Sequence, residues 1–155
     1  MLNMIRQLIL ALGLASVTVM MHAAGTGRLV LRTPRIWNGD AANSRPLGSV
    51  LALTCLVSGL LFLQLAEMTV WAAVFALAGV LPDFETSLYY SLKSFTTVGY
   101  GDVLPAQSWR LLGPCEAAVG VLMLGWSTGI IVAAVQRIYN RPQQTNTIAP
   151  STPAE

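Results

Sequence analysis

Polar and apolar positions along this chain alternate on the scale of whole membrane crossings. Leu2–Met21, Leu47–Val80 and Leu111–Ile138 are almost wholly apolar, and polar segments separate them. About 20 residues at about 1.5 Å each span a hydrocarbon core of about 30 Å, so every stretch is long enough to cross. The pattern predicts an all-α protein with three spanning helices. Leu47–Val80 exceeds the length of one crossing and carries Gln64 and Glu67 beyond its midpoint. It reads either as one tilted helix or as a span broken near Glu67.

Composition agrees with the pattern. Of the 155 residues 54% are apolar and 10% charged, with a mean hydropathy of +0.61, values foreign to an ordinary soluble domain. A net charge of +2 with no basic run gives no footing for nucleic acid. Cys55 and Cys115 lie in separate apolar segments and read as small core residues. His22, the only histidine, has no cysteine partner and reads as a polar helix-end residue, so neither a zinc site nor a catalytic triad is supported.

Charge sets the expected orientation. Residues 23–46 form a basic segment with Arg28, Arg32, Arg35 and Arg45, broken by Pro34, with Asp40 its one acid. Excess Lys and Arg mark cytoplasmic loops, and Arg137 and Arg141 follow the third stretch, so both segments are expected inside. Arg28, Arg32 and Arg35 are expected in a loop, against anionic lipid headgroups, and not in a voltage-sensing helix. Arg6 followed by an apolar run and His22-Ala23-Ala24-Gly25 also has the form of a secretory signal peptide. Cleavage would reverse the charge bias, which favours an uncleaved helix over residues 1–22, where Ala11, Gly13 and Ala15 allow close helix approach. The polar, Pro/Thr-rich tail 140–155 is expected to be disordered.

Between the second and third stretches lies Thr96-Thr97-Val98-Gly99-Tyr100-Gly101-Asp102. Backbone that is neither helix nor barrel survives at membrane depth only where protein shields it or it lines a water-filled path. Gly99 and Gly101 accept φ > 0, so alternating residues can turn successive carbonyls to one side as a ladder of oxygens. Unpaired carbonyls in a dry site are costly unless a cation replaces their lost hydrogen bonds.

These seven residues, in the order spanning helix, short aromatic helix, loop, spanning helix, make residues 47–139 resemble the pore domain of potassium channels, whose selectivity rests on rings of backbone carbonyls. The resemblance implies an outer helix, a re-entrant pore helix in Pro82–Phe95 capped by Asp83, a selectivity filter and an inner helix, preceded here by an extra N-terminal helix. It implies K⁺ as permeant ion, bound at Thr97, Val98, Gly99, Tyr100 and Gly101, with Thr96 supporting the inner end and Asp102 the outer mouth. Tyr89 and Tyr90 match paired aromatics that brace the filter, although generic packing or an interfacial belt fits them too. Aligning Trp109 places Gly120 at the inner helix's hinge glycine, where close packing is an equal alternative, and directs Val121, Leu124 and Thr128 to the cavity.

Lys93 departs from the resemblance, since the family often carries a carboxylate or an apolar residue there. Glu67, Lys93, Asp102 and Glu116 all need partners at this depth. Lys93 can clamp Asp102 behind the filter, or pair with Glu116 or Glu67. Pro114 suits the first turn of the inner helix. The resulting expectation is a homotetrameric, multi-pass, K⁺-selective channel subunit of the cell membrane that catalyses no reaction and uses no cofactor. A weakly selective cation channel and a non-conducting partner subunit or scaffold stay open beside it.

Overall fold

The computed structural model describes residues 2–37 and 46–139. Its helices are α1 (Leu2–Arg32), α2 (Pro34–Trp37), α3 (Pro46–Leu77), α4 (Phe84–Phe95) and α5 (Leu112–Tyr139), with a 3₁₀ turn at Gln107–Trp109. The described residues contain no strand, and α1, α3 and α5 are each long and apolar enough to cross a membrane. The protein is an all-α membrane protein.

Helix α3 is unbroken at Glu67, which decides between the two readings of that stretch. Its polar residues do not interrupt it because they find partners on other helices: Gln64 Nε2 donates to Ser127 Oγ at 3.0 Å, and Glu67 Oε1 lies 2.8 Å from His22 Nδ1. The helix ends at Gly79, whose φ of +64° closes it. The Val80 N–H reaches the Phe75 carbonyl and the Gly79 N–H that of Ala76, the paired bonds of a Schellman cap. Asp83 then starts α4, accepting from the Thr86 N–H at 2.8 Å. That bond and the Thr86 hydroxyl hold the Asp83 carboxyl below its usual range. Pro114 falls in the first turn of α5, where its missing N–H costs nothing.

Helix α1 corrects the sequence reading. It runs ten residues beyond His22, so Arg28 and Arg32 sit exposed on its last turns and not in a loop, and Arg35 falls in the short α2. No proline interrupts the chain before Pro34, and the residue preceding a proline disfavours helix, so Thr33 is where α1 stops. Gly25 and Gly27 do not end it earlier. A Cβ on Gly25 would collide with the Leu63 side chain, and one on Gly59 with that of Leu29. Gly25 and Gly59 thus let α1 and α3 approach closely. Ala11 is also buried, whereas Gly13 faces open space. Asp40, Arg45 and the tail expectation lie outside the described residues.

His22 is no helix-end residue: it is fully buried in the body of α1. The buried face of α1 is Gln7, Ala11, Leu14, Thr18, His22 and Thr26, a stripe at helical spacing that is mostly polar. Cys55 is exposed and Cys115 half-buried, against the expectation of core positions. An outward-facing site on a spanning helix can be as apolar as a core one, so composition does not separate the two.

Three apolar clusters stack along the molecule. Trp71, Phe75, Val80 and Tyr90 join Ala11, Leu14 and Leu112 at one end, Met68, Phe95 and Met123 pack in the middle, and Ile36, Leu56, Leu60 and Ala134 close the other end. Helix α4 is wedged between α3 and α5, so the loop that leaves its C-terminus is positioned by both spanning helices.

Candidate functional site

The loop Thr96–Asp102 leaves the end of α4 with alternating backbone handedness. Positive φ occurs at Thr97 (63°), Gly99 (54°) and Gly101 (78°), and not at Val98 or Tyr100 between them. Sequence reasoning expected positive φ at the two glycines and not at Thr97, which it named only as an ion-binding residue. A β-branched residue at positive φ is strained, and such strain persists only where surrounding structure holds it. Here the Thr97 N–H donates to the Ser94 carbonyl at 2.9 Å and the Gly99 N–H to the Lys93 carbonyl at 3.1 Å. Two loop amides are therefore tied back to α4.

Residues 96–102 are all exposed in the single chain, Val98 at 50% and Tyr100 at 74%. Among the described residues nothing covers this strained, glycine-bearing loop.

Behind the loop, Lys93 is 5% exposed and its Nζ reaches Asp102 Oδ1 and, at 2.9 Å, the Val103 carbonyl. The Tyr89 hydroxyl donates to Asp102 Oδ2 at 2.6 Å. The ammonium also lies 5.2 Å from the Tyr89 ring centre and 5.5 Å from that of Tyr90, both within cation–π range. Of the partners open to Lys93, the structure selects Asp102. The Lys93 ammonium, with the Tyr89 hydroxyl next, holds the Asp102 carboxyl well below its ordinary range, and Asp102 raises the Tyr89 phenol.

A carboxyl whose pKa is depressed on folding contributes stability above its ordinary value and loses it only as pH falls through the depressed one. The wild-type clamp should therefore survive acidification to about pH 4, near the ordinary Asp value. Lys93→Met removes the larger of the two causes and leaves the Tyr89 bond, so it should move Asp102 up toward that range and lower the thermal unfolding midpoint in nanodiscs by roughly 5 °C, more at about pH 4 than at neutral pH. Thermal unfolding of wild type and variant at the two pH values checks both effects; an unchanged midpoint and no new acid sensitivity would rule out the clamp.

Tyr90 packs edge-on against Phe75 with ring centres 5.5 Å apart, and its hydroxyl occupies the place a Cβ on Gly113 would take. At Gly120 a Cβ would run into the Phe95 carbonyl, so this glycine has a packing reason of its own. A 270 Å³ space lies between Tyr90, Lys93, Gly99, Gly101 and Pro114, behind the loop. Beside the start of the loop a 500 Å³ apolar recess brings Thr96, Leu92 and Leu124 onto one surface. Val121 and Thr128 are exposed on α5.

Helix α1 reaches the same region: Gln7 Oε1 accepts from the Leu111 N–H at 3.0 Å, and the Arg6 guanidinium stacks 4.8 Å from the Trp109 ring centre. The extra helix thus steadies the turn joining loop to α5. The remaining carboxylates do not meet Lys93. Glu67 pairs with His22, and Glu116 with Ser91.

Among curated proteins, the chain is 44% identical over 50 residues to TWiK family of potassium channels protein 18 of Caenorhabditis elegans, covering 32% of this chain and 11% of that one. It is 34% identical over 62 residues to the voltage-gated inwardly rectifying potassium channel KCNH6 of Homo sapiens, covering 39% and 6%. It is 34% identical over 58 residues to the voltage-gated inwardly rectifying potassium channel KCNH2 of Sus scrofa, covering 37% and 5%. The chain therefore spans about a tenth or less of the length of these relatives. No solved structure matches it significantly. Residues 50–137, more than half of the sequence, match the family described as "Ion channel", and the chain belongs to that family.

Proposed function

We propose that this chain is a subunit of a K⁺-selective channel of the cell membrane, in which four copies close the loop Thr96–Asp102 into a ring. The observation that carries the reading is the alternation of handedness at Thr97, Gly99 and Gly101. Such a backbone can present successive carbonyls to one axis, and the carbonyls of Thr97, Val98, Gly99 and Tyr100, continued at Gly101, would take the place of the water around a dehydrating monovalent cation. The exposure of this loop in one chain supports closure by further copies, and the relatives are named as potassium channels.

Each part of the site then has a task. Lys93, Asp102, Tyr89 and Tyr90 hold the filter from behind and Thr96 supports its inner end. The C-terminus of α4 offers the cation the negative end of its dipole. Val121, Leu124 and Thr128 line the cavity, and α5 bends at Gly120 against the Phe95 carbonyl. Arg28, Arg32 and Arg35 meet anionic lipid headgroups. Transport is passive, down the electrochemical gradient.

The reversal potential of the purified protein in planar bilayers, with K⁺ on one side and Na⁺ on the other, tests the reading. A reversal close to the K⁺ equilibrium potential is expected. Weak discrimination would replace the reading with a less selective cation channel, and absence of current at every voltage would favour a partner subunit.

A further inference from the structure

Glu116 is buried in α5 with no exposure, and the chemistry around it is spare. Among the described residues the ion pairs are His22 with Glu67 and Lys93 with Asp102, so no cation answers Glu116. Its Oε1 is hydrogen-bonded to Ser91 Oγ on α4, and its Oε2 has no partner. Ser91, also fully buried, lies at the same time 2.8 Å from the Met68 carbonyl on α3.

A serine hydroxyl has one hydrogen, and a backbone carbonyl can only accept. If Ser91 gives its hydrogen to Glu116, a full negative charge sits in a dry site with one donor and no cation, and the Ser91–Met68 approach has no hydrogen in it. If Glu116 itself carries a proton, its O–H donates to Ser91 Oγ and the Ser91 O–H donates to Met68. The one unpaired atom is then a neutral carbonyl-type oxygen, far cheaper to bury than a charge.

We propose that Glu116 is a proton-bearing positioning residue for the filter: the chain Glu116 to Ser91 to the Met68 carbonyl pins α4 between α5 and α3. Glu116 lies one turn before Gly120, whose close approach to Phe95 is another place where α5 bears on α4. Together the two contacts fix the height and rotation of the helix from whose end the filter departs. The functional half of this role rests on the conducting function proposed above, while the proton assignment does not.

The test is an infrared spectrum of the full-length assembly in lipid nanodiscs at neutral pH, in H₂O and D₂O, for the wild type and Glu116→Gln. A deuterium-sensitive carboxylic-acid C=O band is expected in the wild type and lost in the variant. Spectra differing only in the carboxylate region overturn the proposal. In bilayers, Glu116→Gln, whose amide can still donate to Ser91, should keep conduction within about twofold. Ser91→Ala, a one-atom deletion that leaves the backbone and its packing in place, and Glu116→Leu should each lower the conducting fraction roughly fivefold to tenfold, the scale of one buried hydrogen bond. Wild-type conduction in both of these variants would refute the positioning role. The band is read whether or not the protein conducts, so failure of the channel reading is distinguishable from failure of this one.

Discussion

Gly99→Ala is expected to abolish the K⁺-selective current of the proposed channel, whereas Gly79→Ala is expected to leave it intact. The two glycines share a positive φ, +54° at Gly99 and +64° at Gly79, so alanine is strained at both. Neither is crowded within its own chain: nothing lies within 4 Å of a Cβ on Gly79, and the nearest atom to one on Gly99 is the Thr97 carbonyl oxygen at 3.9 Å. The cost is conformational, about 1–2 kcal/mol for each residue forced left-handed. At Gly79 it is a local cost at a helix cap, and the chain absorbs it as a modest loss of stability. At Gly99 the same cost falls on the backbone that would ligate the ion in the proposed ring, so it acts on the site itself. The cheapest relief is rotation of the adjoining peptide, which turns a carbonyl out of the ladder. Reversal potentials and currents of the two variants, compared at matched assembly on size exclusion, check the contrast. Preserved K⁺ selectivity in Gly99→Ala would remove the carbonyl ladder from consideration; loss in both variants would make the filter no more sensitive than any strained glycine.

The apolar stretches, the capped α4 and the site loop were legible in the sequence because each depends on local information. Hydropathy over about 20 residues reports a crossing, Asp83 three residues before Thr86 reports a cap, and the glycine pair reports positive φ. The Lys93–Asp102 pair was one of several open pairings, since nine residues of separation in a loop do not fix a contact. The positive φ of Thr97 was missed because nothing about a threonine announces a left-handed backbone; the bonds that hold it there come from Ser94 and the geometry of the α4 terminus. The end of α1 was misplaced because the arginines and Pro34 after residue 22 read as a basic loop, and only the partner helix shows why Gly25 is tolerated inside a helix. The polar stripe of α1 was readable in principle: Gln7, Ala11, Leu14, Thr18, His22 and Thr26 recur at three and four residues. Its meaning was not, because the partners lie 45 and 105 residues away in sequence.

That stripe carries the second large effect. His22→Ala should destabilise the protein by about 3–5 kcal/mol, the cost of leaving one member of a buried pair uncompensated. Both His22 and Glu67 are fully buried, and the second Glu67 oxygen, Oε2, already lacks a partner, so the carboxylate has no substitute for the imidazole. The histidine is also a junction. Its Nε2 lies 3.3 Å from Ser127 Oγ on α5, its ring stands 5.4 Å from that of Trp126, and one turn earlier Thr18 accepts from the Trp71 indole N–H at 2.9 Å. Loss of the ring therefore loosens α1 from α3 and α5 together. Glu67→Gln should be milder, because a neutral amide can still bond the imidazole and no charge is stranded. Replacing both residues by leucine should recover much of the loss, since an apolar pair of similar volume is often as stable as the ion pair it replaces. Thermal unfolding in nanodiscs of the wild type, His22→Leu, Glu67→Leu and the double variant yields a double-mutant cycle, and its coupling term isolates the pair from the packing lost in each single change. Additive effects would mean that His22 acts through bulk alone, while strong coupling would show that α1 is held to α3 through this buried pair.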